Sequence, residues 1–420
     1  MKRSYAMYGC LLSLALAFQP RAVSQQSATQ SPQARYQVLH KFHESPDGAT
    51  PVYELVRDSA GNLYGVTVYG GTQDLGTVYG VDAAGKETVL HRFSGNGTDG
   101  DRPSAPLTLD SAGNLYGSTA NGGVGGAGTV FKMDQTGKET ILHAFTGGKD
   151  GGGPLGSLAR DDAGNLYGTT SGGGAFGMGT VFQIEPSGRE TVLHSFTWTD
   201  GYFPLGGLVR DSHGNLYGAN QQGGRQKETC SQGFCFGTVF QLDKSGKYTV
   251  LHIFSGSAND GGFPNGVIRD AAGNLYGTAP IGGDPNCPDS SDCGLVFKLD
   301  PKGNGTVLHS FTGGKDGAYP IGQLFRDDAG NLYGTTQFGG DNSQLCNIAY
   351  KGCGVVFKID TAGKFTTLYA FKGGPSPSGG EPAAGVIRDP GGNLYGVTSI
   401  GGDLGCQPVN GCGVVFNLSP

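Results

Sequence analysis

Short apolar runs alternate with tight polar turns along most of the chain. In one stretch, residues 158–160, 166–170, 179–184 and 191–196 are rich in β-branched, aromatic and leucine side chains, and Gly, Asp and Asn separate them. Such runs predict strands, and the residues between them predict hairpin turns. The stretch therefore predicts four consecutive antiparallel strands, named a to d here, and no amphipathic helix.

One phrase, Asp-x-x-Gly-Asn-Leu-Tyr-Gly, occurs seven times and sets the period of this pattern. Successive copies are 50 to 62 residues apart. A four-stranded unit of about 50 residues is typical of a propeller blade. We therefore predict an all-β fold, a seven-bladed β-propeller with four antiparallel strands per blade. The asparagines of the seven copies are Asn62, Asn114, Asn165, Asn215, Asn274, Asn331 and Asn393.

The last repeat ends after strand c, at residues 413–418, and has no strand d of its own. Residues 36–42 match the strand d sequences of the other repeats, such as residues 88–93. We predict that residues 37–42 pair with residues 414–418 and complete blade seven. Closing the ring in this way removes two open sheet edges. An open solenoid, the alternative, needs no repeat divided between the termini.

The first 24 residues have the pattern of a signal peptide. Lys2 and Arg3 precede an apolar core at residues 11–18, and a small-x-small cleavage pattern follows at residues 22–24. That core is too short to span a membrane. Residues 25–35 are polar and are predicted to be a disordered linker, and residues 36–420 form the propeller. We expect a secreted or periplasmic monomer without membrane insertion.

The charge and the cysteines change this picture in two respects. The net charge is −6, and loss of the leader makes it more negative, which argues against nucleic acid as a partner. Eight cysteines form four close pairs in the b–c loops of repeats four to seven, which predicts disulfides in an exported chain. Zinc is disfavoured by irregular spacing and by the absence of accompanying histidines. The pairs are Cys230–Cys235, Cys287–Cys293, Cys346–Cys353 and Cys406–Cys412.

The repeated phrases resemble the GloVer-type tandem-repeat ("choice-of-anchor") proteins. They are clearest at residues 327–336, 128–134 and 137–145, and the resemblance extends from about residue 36 to the end. It implies repeat identity and export from a bacterial cell. Such proteins often carry a C-terminal sorting anchor, and the end at strand c favours release or a periplasmic location. The resemblance implies no catalytic residue and no cofactor.

Strand d carries a histidine in six repeats and Tyr369 in the other. We expect these histidines to lie far apart around the rim, as packing and hydrogen-bonding residues. An arginine ends strand a in six repeats, and we expect it to pair with turn aspartates of the same or a neighbouring blade. The histidines are His40, His91, His143, His194, His252 and His309.

The d–a crossovers and the b–c loops vary between repeats and should share one face, where recognition is usually found. Aromatic residues there predict a binding surface for a glycan or an extended peptide, although packing between blades explains them as well. The candidates are Trp198, Tyr202, Phe203, Phe263 and Tyr319. This favours a non-catalytic binding or scaffold protein.

The alternative is a lyase or hydrolase that acts on a sugar or lactone-like substrate at the channel mouth. Glu54, Asp101 and Glu381 break the repeat in blades one, two and seven, which are neighbours in a closed ring. They are therefore the candidate acids. A weaker hypothesis is a calcium site built from aspartates that follow Gly-Gly in the b–c loops. These are Asp284, Asp341 and Asp403.

Overall fold

Thirty β-strands and no helix make up the described part of the chain. The structure is a computed structural model and describes residues 34–43, 45–224, 235–287, 293–340, 352–372, 378–403, 405–406 and 411–420. The predicted signal peptide and most of the predicted linker lie outside these ranges. Strand β1 begins at Arg35, one residue before the predicted start of the propeller. Within the described ranges, no helix is long and apolar enough to cross a membrane.

Seven antiparallel blades follow one another along the chain, as predicted. Their strands a to d are, in order: β2 (Val56–Arg57), β3 (Leu63–Thr67), β4 (Thr77–Val81), β5 (Glu87–Arg92); β7 (Thr108–Leu109), β8 (Leu115–Gly122), β9 (Thr129–Met133), β10 (Glu139–Ala144); β12 (Ala159–Arg160), β13 (Leu166–Gly172), β14 (Thr180–Ile184), β15 (Glu190–Ser195); β16 (Val209–Arg210), β17 (Leu216–Asn220), β18 (Thr238–Leu242), β19 (Tyr248–Ile253); β20 (Ile268–Arg269), β21 (Leu275–Ala279), β22 (Leu295–Leu299), β23 (Gly305–Ser310); β24 (Phe325–Arg326), β25 (Leu332–Thr336), β26 (Val355–Ile359), β27 (Phe365–Ala370); and β28 (Ile387–Arg388), β29 (Leu394–Thr398), β30 (Val414–Ser419), β1 (Arg35–Lys41). Two short crossover strands, β6 (Gly100–Pro103) and β11 (Gly152–Pro154), add to blades two and three.

The predicted closure of the ring is confirmed. Strand β1 pairs antiparallel with β30, and Gln37 lies opposite Asn417 while Lys41 lies opposite Val414. Tyr36 stacks on Tyr369 of blade six at 4.3 Å between ring centroids. The N-terminal strand is therefore both the outer strand of blade seven and a contact to a neighbouring blade.

The recurring phrase forms a closed hydrogen-bond unit in each blade. In blade three, the backbone N–H of Asn165 donates to Asp161 Oδ1 at 2.8 Å, and its side-chain amide donates to Oδ2 at 2.9 Å. The hydroxyl of Tyr167 donates to the same Oδ2 at 3.0 Å. A single aspartate thus caps the a–b turn and holds the following strand. This accounts for the phrase structurally, without a metal ion.

The glycine that ends the phrase makes room for an aromatic ring of strand c. A Cβ atom on Gly168 would lie 2.6 Å from Cζ of Phe182, and one on Gly117 would lie 2.5 Å from Cζ of Phe131. Real Cβ atoms do not approach so closely, so a larger residue would displace the ring. Both phenylalanines are fully buried in the core of their blades.

The arginines at the end of strand a join adjacent blades, in agreement with the expected salt bridges. Arg160 Nη2 lies 3.9 Å from Asp110 Oδ2, and the guanidinium carbon is 5.5 Å from the Tyr116 ring centroid. Arg269 repeats the pairing with Asp211 at 3.8 Å. The turn of one blade is thereby held by the innermost strand of the next.

Candidate functional site

One position in every d–a crossover has a left-handed backbone, although only one repeat has glycine there. It is the residue before the crossover proline, in the phrase Asp-Gly-x-x-Pro of six blades and Ser-Gly-Gly-Glu-Pro of blade seven, and its φ lies between 52° and 62° in all seven blades. Bulky residues rarely adopt such angles, and sites that hold them there are often functional. The seven residues are Thr50, Arg102, Gly153, Phe203, Phe263, Tyr319 and Glu381.

A hydrogen bond to the preceding blade stabilises this conformation. The N–H of Tyr319 donates to the carbonyl of Cys293 at 2.9 Å, and that of Glu381 donates to the carbonyl of Cys353 at 2.8 Å. Thr50 makes the same contact with Cys412 at 2.9 Å. The acceptor lies two residues before the start of strand c in each case. The crossovers therefore present a ring of different side chains on a common backbone.

Three of the predicted binding aromatics belong to this ring. Phe203, Phe263 and Tyr319 occupy it in blades four to six. The two remaining aromatics, Trp198 and Tyr202, lie earlier in the blade-four crossover and pack together at 4.7 Å between ring centroids. All five are partly exposed. The members of the ring share one feature in the sequence: each directly precedes the proline of its crossover.

These aromatic side chains also pack against the aromatic side chains of nearby residues. Phe263 lies 5.6 Å from Phe236 of the preceding blade, and Tyr319 lies 6.0 Å from Phe338, both measured between ring centroids. Packing therefore accounts for part of their surface and leaves part exposed.

Inside the ring of crossover residues, the central channel widens into a cavity of about 330 Å³, which is called the upper cavity below. The residue after the crossover proline lines it in six blades, and in five of these the residue is apolar. These five are Val52, Leu155, Leu205, Ile321 and Ala383. In blade five the residue is Asn265, and in blade two Pro106 lines the cavity instead.

A second cavity of about 530 Å³ lies along the innermost strands. Four residues line both cavities and form the channel waist: Glu54, Pro106, Ser157 and Gln323. Glu54 Oε1 accepts backbone N–H groups of Gln323 at 2.8 Å and Gly385 at 2.9 Å. A carboxylate of blade one thus reaches blades six and seven. The equivalent residues elsewhere are smaller or uncharged.

Other polar groups surround this carboxylate. Burial, followed by the charge of Glu54, raises the pKa of Tyr53 to about 12, so the phenol remains protonated at neutral pH. The Asn265 side chain accepts from Gln221 Nε2 at 3.1 Å and donates to the carbonyl of Pro320 at 3.2 Å. The upper cavity therefore has an apolar rim and a floor of amides, a phenol and one carboxylate.

The three candidate acids occupy different places. Glu54 lines both cavities, whereas neither Asp101 nor Glu381 is among the lining residues of either one. Burial raises the pKa of Glu381, which sits in the crossover ring. Among the described residues, Glu54 is the one acid that lines the upper cavity, and no histidine lines it.

The candidate calcium ligands have separate partners. Asp284 Oδ1 accepts from the backbone and side chain of Asn286, at 2.8 and 3.0 Å. Asp403 Oδ2 lies 2.8 Å from His43 Nδ1. Asp341 lies outside the described residues.

Disulfides lie at the loops that hold the crossovers. Cys287 is bonded to Cys293, and Cys406 is bonded to Cys412. Cys235 and Cys353 are also disulfide-bonded. The other two predicted cysteines, Cys230 and Cys346, lie outside the described residues. Since Cys293, Cys353 and Cys412 supply the acceptor carbonyls of the ring, these bonds anchor the crossover contacts.

Solved structures of low sequence identity share this architecture. One, described as the extracellular domain of a hybrid two component system from B. thetaiotaomicron, has a TM-score of 0.55 at 15% identity, over 92% of this chain and 41% of that chain. A second, described as the extracellular domain of a one component system from the same organism, has 0.52 at 13% identity, over 92% and 42%. Hydrazine synthase of Kuenenia stuttgartiensis has 0.52 at 15% identity, over 85% and 95%. The chain thus spans less than half the length of the first two, and these likenesses concern the fold.

No curated protein matches the chain. A family model, in contrast, matches residues 26–231 and 228–420, which together cover nearly all of it. The resemblance expected from the repeated phrases is thereby confirmed: the chain belongs to the Gloeobacter/Verrucomicrobia repeat family.

Proposed function

We propose that the protein is an exported, non-catalytic binding protein whose upper cavity takes the terminal unit of a glycan. The observation that carries this proposal is the channel waist, where Glu54 is fixed by two backbone N–H groups beneath an apolar rim. Small-molecule sites commonly combine apolar walls with a few placed polar groups. A sugar unit has both apolar C–H faces and hydroxyls, and it suits this arrangement.

The polar groups favour a glycan over a peptide segment. Amide side chains both donate hydrogen bonds to hydroxyl groups and accept them, and a carboxylate accepts them. Glu54 Oε1 already accepts two backbone N–H groups, which leaves Oε2 for a ligand. A volume of about 330 Å³ is at the lower end of the range for ligand pockets, so the cavity suits one terminal unit. Further units would extend over the crossover ring, with its aromatic side in blades four to six.

The enzyme alternative has weaker support. Glycoside hydrolysis usually needs two carboxyl groups about 5 to 9.5 Å apart. The upper cavity has one among the described residues. Disulfides in the binding loops favour an oxidising compartment, so we propose an extracellular or periplasmic location.

A glycan array followed by calorimetric titration of the best ligand tests the proposal. Glu54→Gln keeps the shape and the two backbone contacts but removes the charge, and should weaken binding roughly 10- to 100-fold, the worth of a charged hydrogen bond. Titration with a single sugar unit supplies the control: Trp198 and Tyr202 lie outside the cavity, so Trp198→Ala and Tyr202→Ala should each change the affinity for that unit less than threefold, or about 0.6 kcal/mol.

Two results would overturn this proposal. If Glu54→Gln binds normally while the aromatic variants do not, the site is the crossover surface and not the channel. If the protein converts the bound sugar to product and Glu54→Gln abolishes turnover, the protein is an enzyme.

A further inference from the structure

Each histidine of strand d meets the aspartate of the following crossover. The Nε2-to-carboxylate distance is 2.7 Å for His252–Asp260 and 3.1 Å for both His194–Asp200 and His309–Asp316. We call each such contact between two blades a joint. The distance is longer in the joints of the other three histidines. There it is 3.5 Å for His40–Asp47, 3.4 Å for His91–Asp99 and 3.5 Å for His143–Asp150.

The two sets differ in a third residue, the first of strand d in the next blade. The short-distance joints have Tyr248, Gly305 and Phe365 there, and the rings of Tyr248 and Phe365 stack on the imidazole at 4.0 and 3.9 Å. The long-distance joints have glutamate instead. These glutamates are Glu87, Glu139 and Glu190.

The glutamate brings a second carboxylate to the imidazole. Glu139 Oε2 lies 3.6 Å from His91 Nε2. In two joints, one ligand atom from each of the three residues lies within 4.8 Å of the other two: His40, Asp47, Glu87, and His91, Asp99, Glu139. The joint of His143 is not among the groups that meet this limit in the described chain.

The separation at His40 suits a shared cation. Hydrogen bonds have donor–acceptor distances of about 2.7 to 3.2 Å. Two ligands bound to one tetrahedral ion at about 2.0 to 2.2 Å lie roughly 3.3 to 3.6 Å apart. The His40–Asp47 and His143–Asp150 distances, both 3.5 Å, fall in this second range, whereas His252 and His309 are hydrogen-bonded to their aspartates and His91 forms a long hydrogen bond of 3.4 Å with Asp99.

Unpaired buried atoms give a second, independent indication. Asp47 is only 8% exposed, yet its Oδ1 has no hydrogen-bond partner. His40 Nε2 and Glu87 Oε1 are also buried without one. The corresponding atoms His143 Nε2 and Glu190 Oε1 lack a partner too, but both carboxylate oxygens of Asp150 in that joint accept hydrogen bonds from Thr146, so the unpaired aspartate is particular to the joint of His40. Buried polar atoms are nearly always paired with protein, water or an ion. The charged groups nearest to this joint include Arg92, whose Nε donates to the carbonyl of Pro46, and His43, which pairs with Asp403.

We propose that the joint of His40, Asp47 and Glu87 binds a divalent cation of the Zn²⁺ class. One imidazole nitrogen and two carboxylates are ligands that Zn²⁺ accepts, with water in the fourth position. The joint of His91 is satisfied without an ion, because Asp99 Oδ1 pairs with His91 and Oδ2 accepts from Ser94. The ion at His40 would connect β1, the closing strand, to β5 of blade one. It would therefore tie the closure of the ring to the next blade.

The experiment measures bound metal in purified protein without a histidine tag. The protein is stripped with a chelator and then titrated with Zn²⁺ in competition with a chromophoric chelator. We expect one ion per chain in the wild type and none in Glu87→Gln. Glu139→Gln and Glu190→Gln are the matched controls from the next two joints, and each should keep one ion.

Co²⁺ substitution gives an independent reading, because four-coordinate Co²⁺ absorbs visible light strongly and six-coordinate Co²⁺ does so weakly. The wild-type spectrum should show the strong band, and Glu87→Gln should lose it. No bound Zn²⁺ in the wild type would overturn the proposal without any variant. Unchanged stoichiometry in the folded Glu87→Gln variant would also overturn it, since the ion would then sit on other groups.

Discussion

The ring is closed by Phe42 and the strand before it, and this makes Phe42→Ala the sharpest test of the architecture. Phe42 is fully buried, and its ring packs edge-on against Tyr79 of blade one at 4.9 Å. Its N–H donates to the carbonyl of Gly413 at 3.1 Å. The side chain therefore fills the space between blades seven and one, although it comes from the N-terminal segment.

Truncation to alanine should cost about 3 to 5 kcal/mol, because it removes an aromatic ring and leaves a cavity. For a chain of 420 residues, an unfolding entropy of about 2.1 cal/mol/K per residue gives about 0.9 kcal/mol/K. The melting temperature should then fall by about 3 to 6 °C.

Phe196 supplies the matched control, since it is equally buried at the same position of an internal blade. Its ring packs on Phe240 in the same edge-on manner. Denaturant unfolding and calorimetry of both alanine variants, with a chelator present, should give similar losses. If Phe196→Ala costs several kcal/mol and Phe42→Ala costs less than about 1 kcal/mol, the closing strand is not integrated into the ring.

Three further predictions concern stability and chemistry. Burial and then the charge of Asp150 raise the pKa of Glu190 to about 7, so the folded state favours the protonated acid and stability falls as pH rises from about 4.5 to 7. Glu190→Gln should therefore be more stable than wild type at pH 8, by about 1 kcal/mol after discounting for solvent screening. This difference in the free energy of unfolding should vanish near pH 4.5, and a difference independent of pH would contradict the argument. Gly168→Ala should lower the free energy of unfolding by about 1 to 3 kcal/mol, because the new Cβ would meet Phe182. A Cβ on Gly97 would have nothing within 4 Å, so Gly97→Ala should change this free energy by no more than about 0.5 kcal/mol. Equal denaturation midpoints for the two variants would refute the packing argument. Peptide mapping without reduction should recover four disulfides, each within one b–c loop, and cross-links between loops would contradict the sequential pairing.

Much of the fold follows from local chemistry, which is why the sequence predicts it. Asp161, Asn165 and Tyr167 are only six residues apart, and their hydrogen bonds define the turn and the start of the next strand. The closing strand is predictable because residues 36–42 repeat a pattern found in every blade. Both inferences need only neighbours in sequence or copies of one phrase.

The site is less predictable because it depends on which way a crossover residue faces. Glu54 stands out as a break in the repeat, but its contacts with Gln323 and Gly385 join residues more than 260 positions apart. Asp101 and Glu381 break the repeat too, yet they precede the crossover proline or lie beside that position, outside the cavity lining. The sequence shows one histidine per strand d, but it does not show that the first residue of strand d in the next blade lies beside each imidazole. The signal for this contact is the glutamate that begins strand d in repeats one to three.

The division of blade seven has a consequence for how such a protein can change size. Counted from β1, each sequence unit supplies the outer strand of one blade and the three inner strands of the next. Inserting one whole unit at any boundary would add a complete blade and leave the β1–β30 pairing in place. The glycine and the aromatic ring that fit together inside a blade would travel in the same unit. The number of blades is thus set by the number of tandem copies and by the curvature that the contacts between blades allow. Gene duplication or engineering could therefore change the number of blades and still preserve the β1–β30 pairing that closes the ring.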